Sequence, residues 1–158
     1  VRAIVSAVKS SVSISVWAKL TPNTHILPDI GMAVQDAGGD AVVAINTLKA
    51  MVIEPEFARP LLSNRFGGLS GAGIKPVGVR AIYDLRCVLD IPLIGVGGIS
   101  TWRDAAEYIM AGACAFQIGS AVGTEGPEVF DKVNTGLEMF MKEYGYDSIS
   151  SMVGVAHE

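Results

Sequence analysis

The sequence has 158 residues, enough for one ordinary hydrophobic core but well short of the roughly 250 residues of a complete (β/α)8 barrel. Its hydrophobic fraction of 50% and mean hydropathy of +0.42 suit strands buried on both faces of a parallel sheet, and Gly, Pro or charge interrupts every apolar run before the roughly 18 residues that a membrane-spanning helix needs. A formal charge of -4 with scattered Lys and Arg leaves no basic footprint for nucleic acid, while Cys87 and Cys114, in no CxxC pair and at no metal-ligand spacing from a His, argue against disulfides and zinc and make the cytoplasm the default compartment.

Arg2 to Lys9 reads as a helix leading into a first strand, Ser13 to Leu20, which Thr21-Pro22-Asn23 closes. The chain thus starts inside a βα unit, and its first residue is Val, which implies a processed, truncated or excised chain. A helix from about Pro28 to Ala37 stops at Gly38-Gly39 and is followed by a second strand, Asp40 to Asn46. The connection from Thr47 to about Ile74 carries Pro55, Pro60 and the densest glycine cluster, Phe66 to Gly73. It is too long for an idle turn, and long ordered loops tend to be functional. A helix from about Lys75 to Leu89 brings Val77, Ala81, Tyr83, Leu85 and Val88 together at helical spacing. The third strand, Leu93 to Val96, ends in Gly97-Gly98-Ile99-Ser100; a helix from Thr101 to Met110 and a fourth strand, Ala113 to Ile118, lead to Gly119-Ser120 and a last helix from about Pro127 to Tyr144. Strand and helix alternate throughout, the signature of a parallel α/β fold. No linker or repeat other than the βα unit divides the chain, so residues 1–158 form one domain or a piece of one.

Chemistry concentrates where strands end. Gly97-Gly98 and Gly119-Ser120 follow consecutive strands, and in (β/α)8 barrels the loops after the seventh and eighth strands commonly cradle a phosphate with backbone amides and a helix N-terminus. Glycine lets the backbone approach the anion, and the hydroxyls of Ser100 and Ser120 add donors. One Gly-Gly alone would mark only a turn; two in this order favour phosphate. Lys19 lies in an otherwise apolar strand and either meets an anion at a barrel mouth or snorkels from an edge strand. Asn46-Thr47 offers neutral donors and acceptors to a planar polar ligand, or caps a turn. The cluster at 66–73 is a flexible lid, a ligand contact, or both. His25 and His157 read as loop and tail residues, and Cys87 and Cys114 as small core residues. Met32, Met110, Met139 and Met141 read as packing residues. Glu138, Lys142 and Glu143 read as a solvated helix face, with Glu138 and Lys142 at favourable i,i+4 spacing.

Taken in order, AKLTPN (18–23), AINT (44–47), NRFGGLSGAGIKP (64–76), IPLIGVGGIS (91–100) and QIGSA (117–121) resemble dihydroorotate dehydrogenase, and the KLTPN, INT and GGLSG runs best resemble its NAD-linked, two-subunit form. The resemblance covers nearly the whole chain. It implies the C-terminal half, about four βα units, of an FMN-binding TIM (β/α)8 barrel that oxidises dihydroorotate to orotate in pyrimidine synthesis. Carried over by position, it implies that Lys19, Ile45, Gly71, Gly97, Gly98, Gly119 and Ser120 contact FMN, with Lys19 stabilising the anionic reduced flavin, and that Asn46 and Thr47 bind dihydroorotate or orotate. The family usually has Thr where this chain has Ser120, which keeps the hydroxyl. The family's general base, a Cys in this form, lies upstream of the strand holding Lys19 and outside this chain, as do the first four strands. Further implied partners are the N-terminal half of the barrel, a homo-oligomer, and an iron-sulfur flavoprotein subunit that passes electrons to NAD. The alternatives are the FMN barrel of a dihydropyrimidine dehydrogenase, acting on uracil or thymine, and a non-redox phosphate-binding barrel such as a sugar-phosphate isomerase.

Overall fold

The fold was determined as a computed structural model, which describes residues 1–157. Helix α1 (Arg2–Ser11) precedes strand β1 (Trp17–Leu20), and α2 (Leu27–Asp36) leads from it to β2 (Ala41–Ala44). Asp40 fastens this entry: its Oδ2 accepts from Lys9 Nζ at 2.8 Å and from the Val16 amide at 2.6 Å. Both bonds hold its carboxyl below the usual carboxylate range. Gly38, at φ 80°, turns the chain out of α2 as its position predicts.

The 47–74 connection is built of paired strands. Strands β3 (Leu48–Ala50), β4 (Ile53–Glu54), β5 (Arg59–Pro60) and β6 (Gly67–Leu69) fold back as two antiparallel ribbons, β3 on β6 and β4 on β5. A short 3-10 turn, Pro55–Phe57, lies between β4 and β5. After a second 3-10 turn, α3 (Lys75–Arg86), β7 (Leu93–Val96), α4 (Trp102–Met110) and β8 (Ala115–Gln117) continue the alternation. The six-residue α5 (Ser120–Glu125) and the long α6 (Val129–Tyr144) close it, with two 3-10 turns beyond at 149–151 and 155–157.

The main sheet is parallel throughout, with strand order β1-β2-β7-β8. Lys19 stands beside Val43, Val43 beside Ile94, and Ile94 beside Ala115. Alternation sorts the side chains onto two faces. Val42, Ala44 and Leu93 join Leu27, Val34, Ile82 and Leu85 in the core between sheet and helices. Ala41, Val43, Ile94 and Val96 form a small separate cluster on the other face, which the register makes the face of Trp17 and Lys19 as well. Helices on one face and a second apolar row on the other are what four βα units of a (β/α)8 barrel present, the second face being the barrel interior. Among the described residues no helix is long and apolar enough to cross a membrane.

Several packing expectations change. The buried face of α3 is Gly78, Ala81, Ile82 and Leu85, whereas Tyr83 and Val88 are exposed. Tyr83 instead stacks on His157, ring centroids 3.8 Å apart, and His157 Nε2 lies 2.9 Å from the Ala111 carbonyl. That tail residue is therefore docked. Cys87 and Cys114 are exposed thiols, because α3 ends just before the first and the second lies just ahead of β8 at the sheet edge. Met110 and Met141 do pack, in a second core built on Ile109, Leu137 and Met152, but Met32 and Met139 are exposed. Glu138, Lys142 and Glu143 are exposed as expected. The ion pair α6 makes among the described residues, however, is Lys132 to Glu125 at 2.6 Å.

Candidate functional site

Every parallel strand delivers its C-terminal end to the same rim of the sheet, so the segments that follow the four strands meet there. One cleft of about 130 Å³ opens at this rim. Lys19 enters it from β1, Ile45, Asn46 and Thr47 from the end of β2, Gly71 from the end of the ribbon excursion, Gly97 and Gly98 from the end of β7, and Gly119 and Ser120 from the end of β8. All nine sequence-derived positions line this single space. A second hollow of about 230 Å³, lined by Ile99, Ser100 and Thr124 among others, shares Gly71, Gly98 and Ser120 with it.

Lys19 is exposed and forms no ion pair with a carboxylate among the described residues. Its ammonium is thus available to an anion in the cleft, although β1 is also an edge strand of this sheet. Ile45 is buried and supplies an apolar wall. Asn46 is anchored at its amide, which donates to the Leu20 carbonyl at 2.8 Å. Its Oδ1 accepts from the Thr47 amide at 2.9 Å, leaving the side-chain NH2 to donate outward.

Sequence reasoning gave Asn23 no role, and the structure does. Its Nδ2 donates to the Thr47 carbonyl at 3.1 Å and its Oδ1 accepts from the Lys49 amide at 2.8 Å, tying the loop after β1 to the segment after β2. The Asn of the TPN turn was the available signal. Ser70, Ile74 and Val96 also line the cleft without having been singled out.

The corner after β7 is the most tightly built part of the rim. Gly97 has φ 134° and Gly98 φ 70°, regions that favour glycine. A Cβ on Gly98 would lie 2.7 Å from the Gly71 carbonyl oxygen and 3.0 Å from Lys75 Cβ. Asp104 Oδ2 accepts from the amides of Ser100 at 3.1 Å and Thr101 at 2.8 Å and from Thr101 Oγ1 at 2.8 Å. Its Oδ1 accepts from Lys75 Nζ at 2.9 Å. Burial alone would raise the Asp104 carboxyl; the bonds from Lys75, Thr101 and the two amides outweigh it and hold the group at about 2. Lys75 is pushed up in turn by Glu107 and Asp104. Ser100 directs its amide and hydroxyl to Asp104, at 3.1 and 3.4 Å, while the residue also lines the second hollow. The capping box of Thr101 and Asp104 likewise occupies the start of α4, so the corner amides, not that helix end, are left for an anion.

The family model for dihydroorotate dehydrogenase matches residues 1–141. The chain belongs to the dihydroorotate dehydrogenase family. The catalytic subunit of dihydroorotate dehydrogenase B (NAD(+)) from Thermococcus kodakarensis is 51% identical over 158 residues, all of this chain and 52% of that protein. The corresponding subunit from Methanosarcina mazei is 51% identical over 158 residues, all of this chain and 50% of that protein. That from Methanothermobacter thermautotrophicus is 48% identical over 156 residues, 98% of this chain and 52% of that protein. The chain thus spans about half the length of the curated relatives it matches, and it matches their C-terminal half. For a dihydroorotate dehydrogenase chain, the rim described above is the C-terminal end of four barrel strands, where the loops of a (β/α)8 enzyme carry its chemistry.

Proposed function

We propose that residues 1–158 are the C-terminal half of an FMN-binding barrel that oxidises dihydroorotate to orotate in pyrimidine synthesis. The observation that carries this reading is the convergence of Lys19, Asn46-Thr47 and the two glycine corners on one cleft. The cleft suits the phosphate of FMN: the Gly98 amide donates to no group among the described residues, and Ser120 brings a hydroxyl to the same space.

When bound, FMN would supply the hydride acceptor. The residues of this chain bind and orient. Amides of the corner after β7 and the Ser120 hydroxyl hold the anionic phosphate end. Ile45 would give the flavin an apolar wall on one side. The free NH2 of Asn46 and the Thr47 hydroxyl hydrogen-bond the substrate ring, and Asn23 keeps their segment in register with β1. The Lys19 ammonium favours negative charge in the cleft. The base that removes the C5 proton belongs to the other half of the barrel. Because the relatives are named as catalytic subunits with NAD(+), the proposal extends to a partner subunit; that this partner is an iron-sulfur flavoprotein, and that the catalytic chains form a homo-oligomer, rest on the family resemblance. A cytoplasmic setting rests on the two exposed free thiols.

The test uses the complete barrel loaded with FMN and mixed anaerobically with dihydroorotate. Flavin absorbance should bleach, and Lys19→Ala should slow the bleaching on the order of a hundredfold with the fold unchanged. A variant rate near that of the unaltered protein removes Lys19 from its role. Oxidation of the reduced protein by uracil and not by orotate assigns the barrel to the dihydropyrimidine chemistry instead.

A further inference from the structure

Helix α4 carries two polar side chains one turn apart that reach the two ends of the corner after β7. Tyr108 is fully buried, and its hydroxyl donates to the Gly97 carbonyl at 2.8 Å. Burial pushes that hydroxyl's pKa up, with Asp104 and Glu107 adding to the effect, so it stays a donor at any working pH. Room for the ring comes from Gly78 on α3 and Gly95 on β7, where a Cβ would run into Tyr108. Four residues earlier, Asp104 takes the Ser100 and Thr101 amides at the other end of the corner, and Lys75 braces it from α3. Between the two anchored ends lie the amides of Gly98 and Ile99, which donate to no group among the described residues. Both residues line the hollow that continues the cleft.

We propose that Asp104 and Tyr108 are positioning residues for phosphate binding: they fix the corner from behind so that the Gly98 and Ile99 amides stay unclaimed and pre-aimed at an anionic group. The proposal rests on the FMN reading above and adds to it the device that presets the corner. The physical reason is preorganisation. An anion held by backbone amides is bound tightly only if those amides need no rearrangement, and a lost anchor returns that cost to the binding step.

The experiment compares FMN with riboflavin, which lacks the phosphate, by fluorescence titration of the complete apo-barrel. Tyr108→Phe keeps the ring in its slot and removes only the hydroxyl; Asp104→Asn keeps the shape and removes the charge. Each should weaken FMN binding on the order of tenfold while riboflavin binding is unchanged, so the ratio of the two affinities falls. A purely structural role lowers both affinities alike and leaves the ratio intact, and that result overturns the proposal, as does no change in either. Should Tyr108→Phe fail to fold, Asp104→Asn carries the comparison by itself. Unaltered protein that binds FMN and riboflavin equally removes the phosphate corner and the FMN reading with it, whereas a normal preference that the variants retain removes only the role of Asp104 and Tyr108.

Discussion

Two glycine corners at the same rim, Gly97-Gly98 and Gly119-Ser120, look alike in sequence and are built differently. The first is gripped from three directions, by Tyr108, by the Asp104–Lys75 pair and by the Gly71 carbonyl against Gly98. The second stands open: a Cβ on Gly119 would meet nothing within 4 Å, and its φ of -115° lies outside the left-handed region. The same residue type therefore answers two demands. At Gly98 it satisfies the fold of this chain, and at Gly119 it satisfies only what comes to lie against the corner from outside. Position decides this. The β7 corner lies under α3 and α4, while β8 is an edge strand whose inward residues, Ala115 and Gln117, are exposed.

The contrast breaks most easily at Gly98. Alanine there combines a left-handed backbone with a collision against carbonyl oxygen, and should cost the complete barrel roughly 3 kcal/mol in urea denaturation without cofactor. A loss no larger than that of an ordinary surface change would mean the corner is soft. Next in size is the contribution of Asp104. Its folded pKa of about 2 lies below the reference value of 3.8, so the stabilisation is present above pH 4 and is lost as the pH falls toward 2. Over that window the unaltered protein should lose about 2 kcal/mol more than Asp104→Asn, measured as the difference between denaturation curves at pH 5 and pH 2. Asn23→Ala tests whether the segment after β2 is held as firmly as the β7 corner. Removing its two backbone bonds should cost about 1 kcal/mol and speed amide exchange at Lys49. Smallest is Gly119→Ala, within about 0.5 kcal/mol of no change. A large destabilisation there would erase the distinction between the corners.

Much of this was legible in the chain itself. The four parallel strands and their helices follow from apolar runs punctuated by Gly, Pro and Asn, and glycines after consecutive strands mark the rim because only strand C-terminal ends gather there. The ribbons at 48–69 were not legible: strands of two or three residues carry no periodicity, and β3 finds its partner β6 only across a long excursion. Helix α5 is equally silent at six residues. Cys87 and Cys114 were misplaced because an apolar environment was inferred from neighbours in sequence, whereas a helix end and a sheet edge leave thiols exposed. Tyr108 illustrates the deepest gap. Sequence reading gave it no role; it is a core residue, and its hydroxyl acquires a task only when folding carries Gly97 to it. Asp104 was likewise passed over in the sequence: it caps α4 with one oxygen while the other serves Lys75.

The order β1-β2-β7-β8 repeats the order of the strands along the chain. No strand has to be threaded between two that are already joined, so a chain emerging from the ribosome can lay each new strand on the current edge and cover it with the helix that follows. In the barrel proposed above the other half is made first, so growth by accretion of this kind ends with β8 as the last strand laid down, at the edge that meets the strands already in place.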